Sequence, residues 1–180
     1  MSFREAIELS YYGASVIHPK TIKPLQNKEI PLFVKSFLDP THPGTTIAAH
    51  VQPGKMVPMY IFKPDQMLIS ISPRDFSFIV EANLRDIFEA LTTSGISVNL
   101  MQNSAISFSV CVDHDMEKFD RFMELMQMNY EVRYNLGVEL LTIRHYDDET
   151  VKKLTGSKET LLEQRSRHTL RVVLRPLVEK

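Results

Sequence analysis

ANLRDIFEALTTSGISVNLM, residues 82 to 101, carries a helix and a strand with a sharp break between them. Leu84, Ile87, Phe88 and Leu91 recur at i, i+3, i+4 and i+7, one apolar stripe of a helix. Gly95 supplies the left-handed residue that ends such a helix, and ISVNLM (96–101) follows at once as a strand. In that strand the small polar residues Ser97 and Asn99 alternate with apolar ones. They read either as a solvated strand edge or as the lining of a pocket for a small ligand.

Regular elements continue on both sides. QMLISI (66–71) has strand composition before the helix. After the polar turn Gln102-Asn103-Ser104, ISFSVCVD (106–113) places Ile106, Phe108, Val110 and Val112 on one face and Ser107, Ser109, Cys111 and Asp113 on the other. DHDMEKFDRFMELMQM (113–128) aligns Met116, Phe119, Met123 and Met126 as a helix, with Asp113 or Asp115 placed to cap it. YEVRYNL (130–136) is a further strand. The order strand, helix, strand, strand, helix, strand predicts an α+β fold, an antiparallel sheet with two helices on one face.

A second such unit begins immediately: VELLTIRH (138–145), helix DDETVKKL (147–154), then strands TLLEQRS (160–166) and TLRVVLR (169–175). It is short, and the expected completing strand is LFVKSF (32–37), since pairing does not require sequence neighbours. Toward the N-terminus FREAIELSYY (3–12) reads as a helix, prolines 19, 24 and 31 punctuate short pieces, DPTHPGTTI (39–47) is turn-rich, and AAHVQPGKMVP (48–58) reads as a surface connection. The expected organisation is 1–30, a connection over 31–65 that includes a strand of the second unit, a first unit over 66–136 and a second over 137–180.

Composition excludes several classes. Apolar residues make up 43% and charged residues 24% of the 180, as in ordinary globular proteins. Lys+Arg number 21 against 22 Asp+Glu, so the overall field favours neither nucleic acid nor an anionic membrane. No apolar run approaches the ~18 residues of a membrane span. The first twenty residues lack the basic start and apolar centre of a signal peptide. The lone Cys111 excludes an internal disulfide and fits a reducing cytoplasm. No GxxxxGK[ST] or GxGxxG phosphate loop occurs, and the histidines at 18, 42, 50, 114, 145 and 168 lack metal-ligand spacing. The same strand order builds RNA-binding domains, but ISFSVCVD has one aromatic, no glycine and no base where those carry their RNA-stacking run.

The segment ANLRDIFEALTTSGISVNLM resembles the core motif of ACT domains, the small amino-acid-sensing modules, through Leu84, Ile87, Phe88, Ala90, Leu91, Gly95, Ile96 and Val98. Upstream, YYGASVIHPKT and DPTHPGTTI resemble the end of the aspartate kinase catalytic domain and its passage into the regulatory region. The resemblance covers essentially the whole chain. It implies a fragment of aspartate kinase: tandem ACT domains after the last part of the kinase domain, with one ACT unit inserted into the other. The implied parent enzyme transfers the ATP γ-phosphoryl to the aspartate side chain, using ATP and Mg, on the way to lysine, threonine and methionine. The fragment itself, lacking the phosphate-binding apparatus, would catalyse nothing and need no cofactor or metal. It would be cytoplasmic, dimerise through its ACT domains, act on its own kinase domain and bind an amino-acid effector, threonine or lysine.

The resemblance also implies where that effector would sit: Ala82, Asn83 and Leu84 in the loop entering the first helix, and Ser97, Val98, Asn99, Gln102, Asn103 and Ser104 along the second strand. Asn99 stands where an acid is usual and is the expected partner of an effector's ammonium. Ala105 stands where a glutamate is frequent, which counts against lysine because a buried cation needs a counter-charge. Ala82 replaces a usual glycine and narrows a carboxylate's approach. Two further readings are an effector-insensitive dimerisation module and a fragment of a bifunctional aspartate kinase–homoserine dehydrogenase.

Overall fold

The structure is a computed structural model that describes residues 1–14, 17–51 and 57–177. Ser15 and Val16 of the YYGASVIHPKT motif, residues 52–56 of the 48–58 connection and the last three residues lie outside the described ones. The chain divides into two units, Met1–Val57 and Pro58–Lys180.

In the N-terminal unit, α1 (Phe3–Tyr11) starts at Ser2, whose hydroxyl accepts the Glu5 N–H at 3.1 Å. α2 (Pro19–Asn27) opens on a proline, tolerated because the first-turn N–H has no helical partner, and carries Pro24 within it. Pro19 and Pro24 therefore lie in one helix rather than dividing pieces, while Pro31 directly precedes β1. β1 (Leu32–Val34) and β2 (Thr45–Ile47) pair antiparallel, and Phe3, Ala6, Ile22 and Ile47 bury together. Gly44, at φ +70°, enters β2 where a Cβ would run into the Val34 carbonyl oxygen.

This corrects one expectation. LFVKSF does not complete the second ACT unit: its strand, β1, pairs only with β2 in a sheet of two. The completing strand is the start of β3 (Met59–Pro73), which pairs with Arg144 through Leu140 from Met59 through Lys63. The physical reason is continuity. A segment running directly into the 66–73 strand reaches the neighbouring unit without a loop, whereas the prolines at 58 and 64 disguise it as a linker.

The larger unit continues with α3 (Glu81–Thr93), β4 (Val98–Asn103), β5 (Phe108–Asp113), α4 (Met116–Met126), β6 (Tyr130–Arg144), α5 (Asp148–Thr155), β7 (Lys158–Arg165) and β8 (Thr169–Pro176). All pairs are antiparallel, in the order β4-β5-β3-β6-β8-β7. That order reads as two overlapping four-strand sets. The first ACT unit is β4-β5-β3-β6 and the second β7-β8-β6-β3, so the long central strands β3 and β6 serve both. YEVRYNL and VELLTIRH are thus one strand, passing through Gly137 at φ +65°. Asp65, at φ +50°, lies where the β3–β6 register shifts.

Local signals hold where they are strongest. Gly95, at φ +70°, closes α3 with its N–H on Thr92 O and the Ile96 N–H on Leu91 O. Asp115, rather than Asp113, caps α4 through the Lys118 N–H at 3.1 Å. The buried stripe of α4 is Phe119, Phe122 and Met126, with Met123 partly buried against the same core and Met116 39% exposed. These side chains and Ile87, Ala90 and Leu91 of α3 cover Met67, Ile69, Ile71, Phe108, Val110 and Val112. The opposite sheet faces have their own core, in which Leu68, Leu100 and Cys111 of the first unit meet Val138, Leu140 and Val173 of the second.

Candidate functional site

Asn99 sits at an irregularity. Val98 lies opposite Val112 and Leu100 opposite Cys111, so Asn99 is the extra residue of a bulge. The bulge lets Val98 pack toward the helices while Leu100 buries in the core shared by the two ACT units of the larger unit. Asn99 is left between them with its carboxamide turned to polar partners. Its Nδ2 donates to Gln66 Oε1 and to Asp113 Oδ1, both at 2.8 Å, and its Oδ1 accepts from Lys63 Nζ at 2.8 Å. Its backbone carbonyl accepts from Arg171 Nη2 at 2.7 Å.

Gln66, only 3% exposed, holds this cluster in place. Its Nε2 donates to Asp113 Oδ1 at 2.9 Å and to the Pro64 and Asp65 carbonyls. The Lys63 ammonium stands 3.7 Å from Asp113 Oδ1. Partial burial pushes the Asp113 pKa up. The hydrogen bonds from Gln66 and Asn99 and the Lys63 charge outweigh that and hold it below the ordinary 3.8. Beside them, burial pushes the Cys111 thiol up to about 12, which leaves it an inert core group.

A carboxylate with a depressed pKa stabilises the fold above its unfolded pKa and loses that contribution as pH falls through its folded value. Wild type and Asp113→Asn should therefore differ most in urea stability above the ordinary aspartate range of 3.8. The gap should close on further acidification. A gap unchanged between neutral and strongly acid pH would mean that the charge on Asp113 contributes nothing.

The other expected site residues lie elsewhere. Ala82 is exposed in the first turn of α3, and Leu84 packs on the helix-side core. Asn83 secures the helix start, its Oδ1 accepting the Val80 N–H at 3.0 Å and its Nδ2 donating to the Tyr130 hydroxyl at 3.1 Å. Ser97 is exposed beside Asp113, His114, Asp115 and Lys118. Gln102 and Asn103 are exposed at the far end of β4, and Ser104 closes the β4–β5 hairpin against Ser107. The Ile79 N–H donates to the Ala105 carbonyl at 2.8 Å, tying the loop before α3 to that hairpin. The fold thus brings 82–84 and 102–104 to one end of the unit. Asn99 lies about 13 Å along the strand from Asn103, at ~3.3 Å per residue.

At the first end, Arg74, Asp75, Ser77, Asn83, Asp86 and Tyr130 line a polar hollow at the start of α3. Its one guanidinium, from Arg74, is set against the two carboxylates of Asp75 and Asp86. At the second end, an amide oxygen and a carboxylate face an ammonium. Sequence reading missed Lys63, Gln66 and Arg171 as partners of Asn99. Asp113 had a signal as the polar end of an alternating strand; Lys63 had none, because the bulge that aims Asn99 at it is a pairing feature.

No family model matches the chain. It is 36% identical over 111 residues to the bifunctional aspartokinase/homoserine dehydrogenase of Haemophilus influenzae, covering 61% of this chain and 14% of that protein. It is 30% identical over 118 residues to the chloroplastic aspartokinase 2 of Arabidopsis thaliana, covering 63% and 21%. The chain therefore spans less than a quarter of the length of these relatives. Among solved structures, Clostridium acetobutylicum aspartate kinase superposes with a TM-score of 0.78 at 22% identity, over 97% of this chain and 45% of that one. Aspartokinase III of E. coli in complex with lysine and aspartate gives 0.77 at 21%, over 97% and 42%. A C-terminal regulatory domain of aspartate kinase from Porphyromonas gingivalis gives 0.55 at 13%, over 66% and 86%. By sequence the chain is a relative of the aspartokinases, and by fold it carries the tandem ACT domains of their regulatory region.

Proposed function

We propose that this chain is the amino-acid-responsive regulatory region of a cytoplasmic aspartate kinase, and that it dimerises through its ACT units. The observation that carries this reading is the shared strand pair β3/β6, which makes each ACT unit structurally dependent on the other. A ligand that alters one unit then biases the arrangement of both, which is the requirement for transmitting a signal to a kinase domain. The kinase domain of the parent would carry the sites for ATP, Mg and aspartate, and the regulatory role proposed for the present chain uses none of them. The proposed effector residues are Ala82, Asn83, Leu84, Ser97, Val98, Asn99, Gln102, Asn103 and Ser104, in two groups: 82–84 with 102–104 at one end of the unit, and Ser97 to Asn99 at the other end of β4. E. coli aspartokinase III, whose fold this chain shares, binds lysine. With Asn99 and Ala105 in place of acids, a neutral effector such as threonine fits this chain better.

The test is a thermal-shift series with lysine, threonine, methionine and isoleucine, read beside the mass in solution. At 100-fold over its dissociation constant an effector adds ~2.7 kcal/mol, which for a chain this size raises Tm by about 5 to 11 °C. A dimer stabilised by one of the four supports the reading. A folded dimer that responds to none supports a second one, a purely structural dimerisation module. What favours that alternative is that Asn83, Asn99 and Ser104 all spend their side chains on intrachain hydrogen bonds.

A further inference from the structure

The cation position at Asn99 is filled from within the chain. The Asn99 amino group faces two oxygen acceptors, Gln66 Oε1 and Asp113 Oδ1, so its amide oxygen is the atom turned to Lys63. Buried Gln66 locks that orientation, being itself pinned by the Pro64 and Asp65 carbonyls. The result is a preorganised pair of acceptors, an amide oxygen at 2.8 Å and a carboxylate oxygen at 3.7 Å, with one ammonium seated between them. That ammonium comes from β3, from the residue opposite Leu140 on β6.

We propose that Lys63 is a tethered ligand: its ammonium occupies a primary-ammonium site formed by Asn99 and Asp113 and oriented by Gln66, and excludes the free amine of an amino acid from it. The proposal rests on the effector-site reading only in taking Asn99 as a position for an effector's ammonium. It adds that Lys63 weakens binding there: an effector's ammonium has to displace it from Asn99 and Asp113. A site whose competent form is populated one-tenth of the time binds about tenfold more weakly. A tether seated on its acceptors most of the time therefore makes the wild-type chain a poor receptor for primary amines at Asn99. It also explains how Asn99 serves without the acid usual at that position: Asp113, depressed in pKa by the same network, supplies the negative charge.

Chemical rescue tests this on the 180-residue chain. Lys63→Ala leaves the acceptors and removes the amine, and n-propylammonium is the probe. We expect a lower Tm that saturating n-propylammonium restores, while tetramethylammonium, which has no N–H to donate, does not. We expect the amine to bind Lys63→Ala about tenfold or more tightly than it binds wild type. Rescue should vanish in Lys63→Ala/Asn99→Ala. Lys63→Met, which keeps the packing of the stem, serves if the alanine variant does not fold; there methylammonium should shift the Asn99 side-chain amide resonances. Folded Lys63 variants with no amine response would overturn the proposal, as would wild type binding amines as tightly as the variants. Failure of the effector reading is distinguishable: all four amino acids would leave wild type and the folded Lys63 variants alike unmoved, while those variants still take up n-propylammonium.

Discussion

Phe122→Ala is expected to destabilise the larger unit by about 3–5 kcal/mol, a lowering of Tm on the order of 10 °C or more. Phe122 is completely buried between α4 and the helix-facing side of the sheet, in the core that contains Met67, Ile69, Val110 and Phe119. Truncation removes the largest fully buried side chain and leaves a hole that close-packed neighbours fill only in part. Met116→Ala is the control. Met116 belongs to the apolar stripe that the sequence suggests for α4, yet it is 39% exposed, so its loss should stay well under half the effect of Phe122→Ala. Urea denaturation of both variants checks this. Equal effects would mean that α4 docks rotated from the face described.

Leu140→Ala should cost about 2–5 kcal/mol, a large share of the 5–15 kcal/mol that holds a typical domain folded. Its importance is positional. Leu140 is 1% exposed on the face of the sheet away from the helices, where Val138 and Val173 of the second ACT unit meet Leu68, Leu100 and Cys111 of the first. A cavity there loosens both units at once. Amide exchange should rise together in Met67–Ile71 and in Leu170–Leu174, although the helix-side cores of those strands keep their side chains. Protection lost only around Leu170–Leu174 would show that the two ACT units are stabilised independently. It would also remove the physical basis for coupling them through β3 and β6.

What the sequence determined by itself is local. The stop at Gly95, the cap near the start of α4, the alternation of 106–113 and the order βαββαβ are read from neighbours within a few residues, because 3.6- and 2-residue periods and capping are short-range geometry. Two motifs carried the resemblance to the aspartokinases for the same reason. What only the tertiary structure decided is pairing. The strand expected to complete the second unit is LFVKSF (32–37), and the alternative is MYIFKP (59–64), within the expected connection. The chain uses the second, because a strand continuous with 66–73 reaches β6 with no loop to close. Phe122 is buried completely and Met123 only in part, because docking on the sheet selects which of two adjacent apolar residues is centred on the contact. The question raised by Asn99 has the same answer. Alternation marks it as polar and accessible, but a one-residue bulge against β5 turns its amide onto Lys63, Gln66 and Asp113. Those partners lie 14 to 36 residues away in the chain, beyond the reach of any local pattern.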